Sequence, residues 1–176
     1  MLREMVDHDF PVVLGRDYAG TVEAIGADVE GYAVGDEVFG FVLHANPTVH
    51  EGSWAEVIAL TPEMQVAPKP ASLELAAAGV APLAGIAALA AVDALALSEG
   101  ETILIVGATG GVGSFAVQLA ARASATSIAP ALAEDADYLR ELGVTEYLDR
   151  DGDVVAAVRD RNPDGVDALL DLVSYA

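Results

Sequence analysis

The 176-residue sequence has no cysteine and a single lysine, Lys69. The missing thiols exclude disulfides, thiolate catalysis and any cysteine-ligated zinc, and a chain without them suits the reducing cytoplasm. Bases are scarce in general, with 8 Lys+Arg against 28 Asp+Glu for a formal charge of −20. A surface so short of cations offers no patch able to displace counterions from a phosphate backbone or to bind an anionic lipid face. Nucleic acid and membrane partners are therefore not expected. Aromatics make up only 6% of the residues, with Trp54 the one tryptophan. Long apolar runs are also lacking. The uncharged stretch from Leu75 to Val92 is mostly alanine and is interrupted by Gly79, Pro82 and Gly85, which reads as a pair of buried helices rather than a membrane span. Residues 1–9 carry acids and no apolar core of the kind a secretory signal requires.

What is present is a 53% hydrophobic content spread along the chain, enough to exclude an acidic disordered tail and to build a core. Two textures follow one another. Residues 1–70 read as short strands joined by glycine turns: Gly20–Ile25 alternates apolar and polar, Gly35-Asp36 opens Glu37–Val42, and Trp54–Ala59 alternates again. Between the last two, a loop from Leu43 to Glu51 holds His44 and His50. Residues 71–176 alternate helix and strand. Ser72 is placed to cap a helix through Ala78, and Ala84–Leu97 reads as a second helix. Thr102–Val106 is a continuous apolar run of the kind buried on both faces of a parallel sheet. Helices over Ser114–Ala123, Ala136–Leu142 and Val154–Arg161 alternate with strands at Ser127–Ala129, Tyr147-Leu148 and Val166–Val173. That order implies right-handed crossovers and an open parallel sheet.

The most specific motif is Gly107-Ala108-Thr109-Gly110-Gly111-Val112-Gly113, set between a strand and a helix. Small residues permit the tight turn, let backbone approach a pyrophosphate, and aim the amides of a helix N-terminus at its charge. The spacing Ala-x-Gly-x-x-Gly is a variant of the dinucleotide fingerprint, so Ala108, Thr109, Gly110, Gly111, Val112 and Gly113 are the expected cofactor contacts. A plain glycine turn is the alternative reading of the same residues.

Taken in order, Leu14-Gly15-Arg16-Asp17-Tyr18-Ala19-Gly20, Val34-Gly35-Asp36-Glu37-Val38, Gly52-Ser53-Trp54-Ala55-Glu56, Pro82-Leu83-Ala84-Gly85 and the 107–113 loop resemble the medium-chain dehydrogenase/reductase superfamily, in its zinc-independent quinone oxidoreductase-like branch. The resemblance implies a partial GroES-like β-rich catalytic domain followed by a partial Rossmann doubly wound parallel sheet. It implies NADPH as hydride donor, with NADH the alternative, a quinone or activated C=C as the small-molecule substrate, and a homodimer in the full-length form. It also implies that relatives start several strands before Met1 and continue past Ala176, so that this chain matches their middle and is not expected to turn over substrate alone. Two other classes compete with the reductase: a non-catalytic dinucleotide-binding module and an inactive truncated product.

Zinc-dependent relatives place Gly-His-Glu where this chain has Gly15-Arg16-Asp17, and a guanidinium has no lone pair for a metal. No zinc is expected. Arg16 and Asp17 either fix the start of a strand or border a substrate cleft. The tip of the second parallel strand, Ser127-Ile128-Ala129-Pro130, ends without the acid that serves a free ribose, and Glu134 and Asp135 follow where relatives often carry a lysine for a 2′-phosphate. Arg150 could supply the cation for that phosphate, or be a solvated loop charge. Relatives often have Thr beside the nicotinamide where this chain has Ala87. Tyr18, His44 and His50 are titratable without any of them standing out as an acid, Trp54 and Phe41 read as core or cleft wall, and no catalytic residue is assigned.

Overall fold

The computed structural model describes residues 11–42, 52–61 and 65–174, so His44, His50 and the loop that carries them lie outside the described residues. The chain divides into two units, Met1–Leu83 and Ala84–Ala176.

In the first unit, strands β1 (Asp17–Thr21), β2 (Glu37–Phe41) and β3 (Gln65–Pro68) form an antiparallel sheet in that order. Tyr18, Val38 and Phe41 are its buried side chains, which settles Phe41 as core. β1 starts three residues before the expected Gly20 and ends at Thr21. Beyond it, the pairs Val22 N–H to Asp36 O and Gly35 N–H to Val22 O close the ribbon without extending the strand. Gly40 faces Tyr18 across the ladder, and a Cβ there would stand 2.6 Å from the Tyr18 hydroxyl and closer still to the Gln65 carbonyl oxygen. Its absence leaves room for that hydroxyl to donate to Gln65 O at 2.9 Å.

The strand expected over Trp54–Ala59 is not formed. Ser53 and Trp54 donate backbone hydrogen bonds to Gly15 and Leu14, but the ladder stops there, and Trp54 is 75% exposed rather than core. Alternation makes a strand only where a partner accepts its hydrogen bonds. Among the described residues, none continues alongside 55–59.

The single lysine is committed to this unit. Lys69 Nζ lies 3.1 Å from Glu37 Oε2 and donates to the carbonyls of Leu73 (2.6 Å) and Pro70 (3.1 Å), with 6% of its side chain exposed. Its reach to Leu73 ties down the entry to the short helix α1 (Leu75–Ala78). Ser72 does not cap that helix: Glu74 holds the N-cap position, without a side-chain bond.

Helix α2 (Pro82–Leu95) leads into the second unit, where β4 (Thr102–Val106), α3 (Gly111–Arg122), β5 (Thr126–Ala131), α4 (Ala136–Leu142), β6 (Glu146–Asp149), α5 (Val154–Arg161) and β7 (Ala168–Asp171) follow in sequence. All four strands are parallel, in the order β6-β5-β4-β7. The expected parallel α/β sheet is thus observed. Ile103, Ile105, Val117 and Leu139 are fully buried at its centre, joining β4 to α3 and α4. Gly143 takes the left-handed conformation (φ 103°) that ends α4 while Val144 N–H returns to Leu139 O. Ser127 and Thr145 exchange two backbone-to-hydroxyl bonds of 3.2 Å that lock β5 to the entry of β6. Among the described residues no helix is long and apolar enough to cross a membrane.

Candidate functional site

A parallel sheet places ligands at the carboxyl ends of its strands, at the point where the strand order reverses. Here the chain moves outward from β4 to β5 and β6, then returns to the other side of β4 as β7, so the reversal lies between β4 and β7. The glycine loop leaves the carboxyl end of β4 at that point.

Gly107 has φ +86°, which turns the chain off the strand, and Gly110 N–H closes the turn on Gly107 O at 3.1 Å. Helix α3 begins at Gly111, three residues earlier than the expected Ser114 and inside the motif itself. Its first return bond is Ser114 N–H to Gly110 O, so the amides of Gly111, Val112 and Gly113 belong to the open first turn. Gly110 is the N-cap and supplies no side-chain acceptor, and no acid occupies that first turn. Three amides at the positive end of a 12-residue helix are therefore without an intrahelical partner, with Gly111 exposed at the rim.

The six expected contacts separate into two kinds. Thr109, Gly110 and Gly111 are exposed and form the rim of the turn, whereas Ala108 is fully buried in the core and Gly113 packs on the loop's own backbone. A Cβ on Gly113 would lie 2.7 Å from Ala108 Cα and 2.8 Å from Gly107 C, and nearer still to Gly107 O. Val112 packs beside Ala88, Val92 and Ala116, so its backbone rather than its side chain faces the turn. At Gly110 the space a Cβ would take is open except for Gly107 O at 3.3 Å. The loop is thus a cradle whose rim carries no side chain at Gly110 and Gly111, which fits a pyrophosphate.

Across the reversal point stands a residue the sequence reading missed. Asp171, last in β7 and paired with Val106, accepts the N–H groups of Val173 (3.0 Å) and Ser174 (2.9 Å) through one oxygen. Those bonds, from Ser174 first and Val173 next, hold its carboxyl below the usual carboxylate range. The turn they fix sets Val173 against Gly107: a Cβ on Gly107 would lie 2.7 Å from Val173 Cγ2. An acid at a strand end followed by Leu172-Val173-Ser174 carries the signal for such a turn.

Arg150 follows β6, beyond the outer flank of β5. Its N–H donates to Ala131 O at 3.1 Å, and its Nε lies 3.7 Å from Asp151 in an exposed setting. Asp17, by contrast, is structural: its carboxylate accepts the Leu83 N–H at 2.7 Å. Among the described residues, the buried Arg16 Nε finds no hydrogen-bond partner. Tyr18 has its hydroxyl pushed up to about 12, by burial first and by Tyr32 second. A hollow of about 700 Å³ in the first unit is lined by Tyr18, Val22, Ile25, Tyr32, Ile58 and Val66 among others, and the glycine loop is not among its walls. Among the described residues no group of three or more His, Asp or Glu side chains is arranged to hold a metal ion.

Residues 1–71 match the family model of the alcohol dehydrogenase GroES-like domain. The chain is 34% identical over 154 residues to a 2-methylene-furan-3-one reductase of Solanum lycopersicum, covering 81% of this chain and 38% of that protein. It is 32% identical over 171 residues to a mitochondrial NAD(P)H oxidoreductase of Bos taurus, covering 94% of this chain and 41% of that protein. Among solved structures, the quinone oxidoreductase of Coxiella burnetii superposes with a TM-score of 0.82 at 29% identity, over 95% of this chain and 50% of that one. The chain thus spans about half or less of the length of the proteins it matches.

Proposed function

We propose that this chain, a member of the medium-chain dehydrogenase/reductase superfamily with quinone oxidoreductase-like relatives, is the nucleotide-holding part of a zinc-free NAD(P)H-dependent reductase of quinones or activated C=C bonds. The observation that carries the reading is the cradle. Gly110 and Gly111 are exposed and carry no side chain, and the amides of Gly111 to Gly113 have no intrahelical partner in the first turn of α3. Pyrophosphate oxygens would take those amides, and the chain's scarcity of cations makes this backbone the main source of positive potential.

The dinucleotide, when bound, supplies the hydride. The protein's part is to hold and orient it. Gly107 and Gly113 keep loop and helix in contact, while Asp171 holds the turn that abuts Gly107 at the reversal point. No side chain of this chain is assigned to proton transfer. The resemblance supports a reduced nicotinamide dinucleotide as donor, and the choice between NADPH and NADH is made at its adenosine ribose. A cytoplasmic setting and a homodimer complete the proposal for the whole protein.

Titration with reduced nicotinamide dinucleotide, followed by nicotinamide fluorescence, is expected to saturate, and Gly110→Val to abolish it by covering the cradle. Undiminished affinity in that variant would show that the pyrophosphate lies elsewhere. A whole protein that binds the dinucleotide tightly yet reduces neither a quinone nor an enone would be a binding module instead.

A further inference from the structure

Resting on the dinucleotide reading above, we propose that Asp149 selects the adenosine ribose and makes this site prefer NADH over NADPH. In a sheet of this kind the ribose lies at the tip of the strand after the glycine-loop helix, where an acid about 20 residues beyond the motif accepts its 2′-hydroxyl. β5 fills that tip with Pro130 and Ala131 and is followed by Leu132, none of which carries a hydrogen-bonding side chain. The neighbouring strand makes up the deficit. In the β5–β6 register Ala131 pairs with Asp149, about 4.8 Å across the ladder, and the next N–H, that of Arg150, closes on Ala131 O at 3.1 Å.

Asp149 is exposed, and its Oδ1 accepts the Asp151 N–H at 3.0 Å. That bond steadies the carboxylate at the strand tip, and its second oxygen can accept from a ribose hydroxyl. A 2′-phosphate in the same place meets the opposite conditions. Asp149 and Asp151 flank it on one side, and Glu134 and Asp135 occupy the turn that follows β5. Four carboxylates thus stand against one guanidinium, and Arg150 already has Asp151 at 3.7 Å. The chain's only lysine is spent on Glu37 and two carbonyls in the first unit. A phosphate carrying close to two negative charges is repelled by that net excess of carboxylate, and at physiological salt a loss of about tenfold in affinity is expected.

The test compares NADH and NADPH binding to the unaltered chain, by fluorescence or calorimetry, at low and at physiological salt. NADH is expected to bind about tenfold or more tightly, with the gap narrowing as salt rises. Asp149→Asn keeps an acceptor for the Asp151 N–H, so it is expected to weaken NADH, strengthen NADPH and close most of the gap. Arg150→Ala is expected to leave NADH affinity unchanged. NADPH binding as tightly as NADH or more so, with Arg150→Ala weakening NADPH alone, would overturn the proposal and assign Arg150 to the 2′-phosphate. If neither dinucleotide binds, the cradle reading fails and this inference falls with it, a result distinct from a reversed preference.

Discussion

Replacing Gly113 by Ala puts a methyl group where the first turn of α3 rests on the glycine loop. The new Cβ would meet Ala108 Cα at 2.7 Å and Gly107 C at 2.8 Å, with Gly107 O nearer still. Each of these is backbone, so no side chain can rotate aside, and loop and helix must separate by several tenths of an ångström or more. Overpacking of this kind costs about 1–3 kcal/mol, and rigid backbone on every side argues for the upper end. Alanine returns up to about 1 kcal/mol through its better helix propensity, which leaves a net loss of about 2 kcal/mol. For a cooperative unit of this size that lowers the melting temperature by about 8–16 °C. Separating the turn from the helix also spreads the amides that would hold the pyrophosphate, so affinity should fall along with stability.

Gly110→Ala is the control. Gly110 has an ordinary φ of −78°, and its Cβ would meet only Gly107 O, at 3.3 Å. Thermal unfolding followed by circular dichroism, paired with nucleotide titration, separates the two effects. Gly110→Ala should unfold close to the unaltered chain and bind dinucleotide less well, whereas Gly113→Ala should lose both. An unchanged melting temperature for Gly113→Ala would refute the claim that this glycine exists for loop–helix contact.

Two further outcomes follow from the same reasoning. Tyr18 titrates at about 12 in the folded chain against 10.0 unfolded, so the unfolded state gives up its proton first. Its contribution is complete below pH 10 and is lost as pH rises through about 12. Urea unfolding should therefore show a loss of about 1 kcal/mol between about pH 9 and pH 11 that is absent in Tyr18→Phe, and an equal loss in that variant would remove Tyr18 as its source. Asp153 accepts the Ala156 N–H at 2.9 Å as the N-cap of α5, so Asp153→Ala should cost about 1 kcal/mol in denaturant unfolding. No measurable change would mean that the helix end is satisfied by water.

The glycine loop was legible because its constraints are local. An apolar strand, a glycine that must reach positive φ and a small residue wherever backbone approaches backbone all leave their mark in neighbouring positions. The spans expected for α4 and α5 match the observed ones, with Gly143 ending the first and Asp153 capping the second. Trp54–Ala59 misled because alternation reports which faces a strand would have, not whether another strand lies beside it. The strand expected over Ser127–Ala129 is longer than that, passing through Pro130. β4 pairs with β5 only as far as Ile128, so beyond that point a residue without an N–H costs no ladder bond on that side, and the strand runs on to Ala131. Asp149 and Asp171 stayed hidden because their importance is positional: one is placed by register beside a strand 18 residues earlier, the other by the strand order that brings β7 back against β4.

The enclosed Lys69 ammonium has a consequence for how the protein can be handled and modified. The chain's one side-chain amine is occupied by a carboxylate and two carbonyls and almost shut off from solvent. Acylation, reductive methylation, isopeptide attachment and amine-directed crosslinking all begin at a free side-chain amine. On this chain they have no open side-chain target, and any reagent forced onto Lys69 would first have to pull the entry of α1 away from the end of β3.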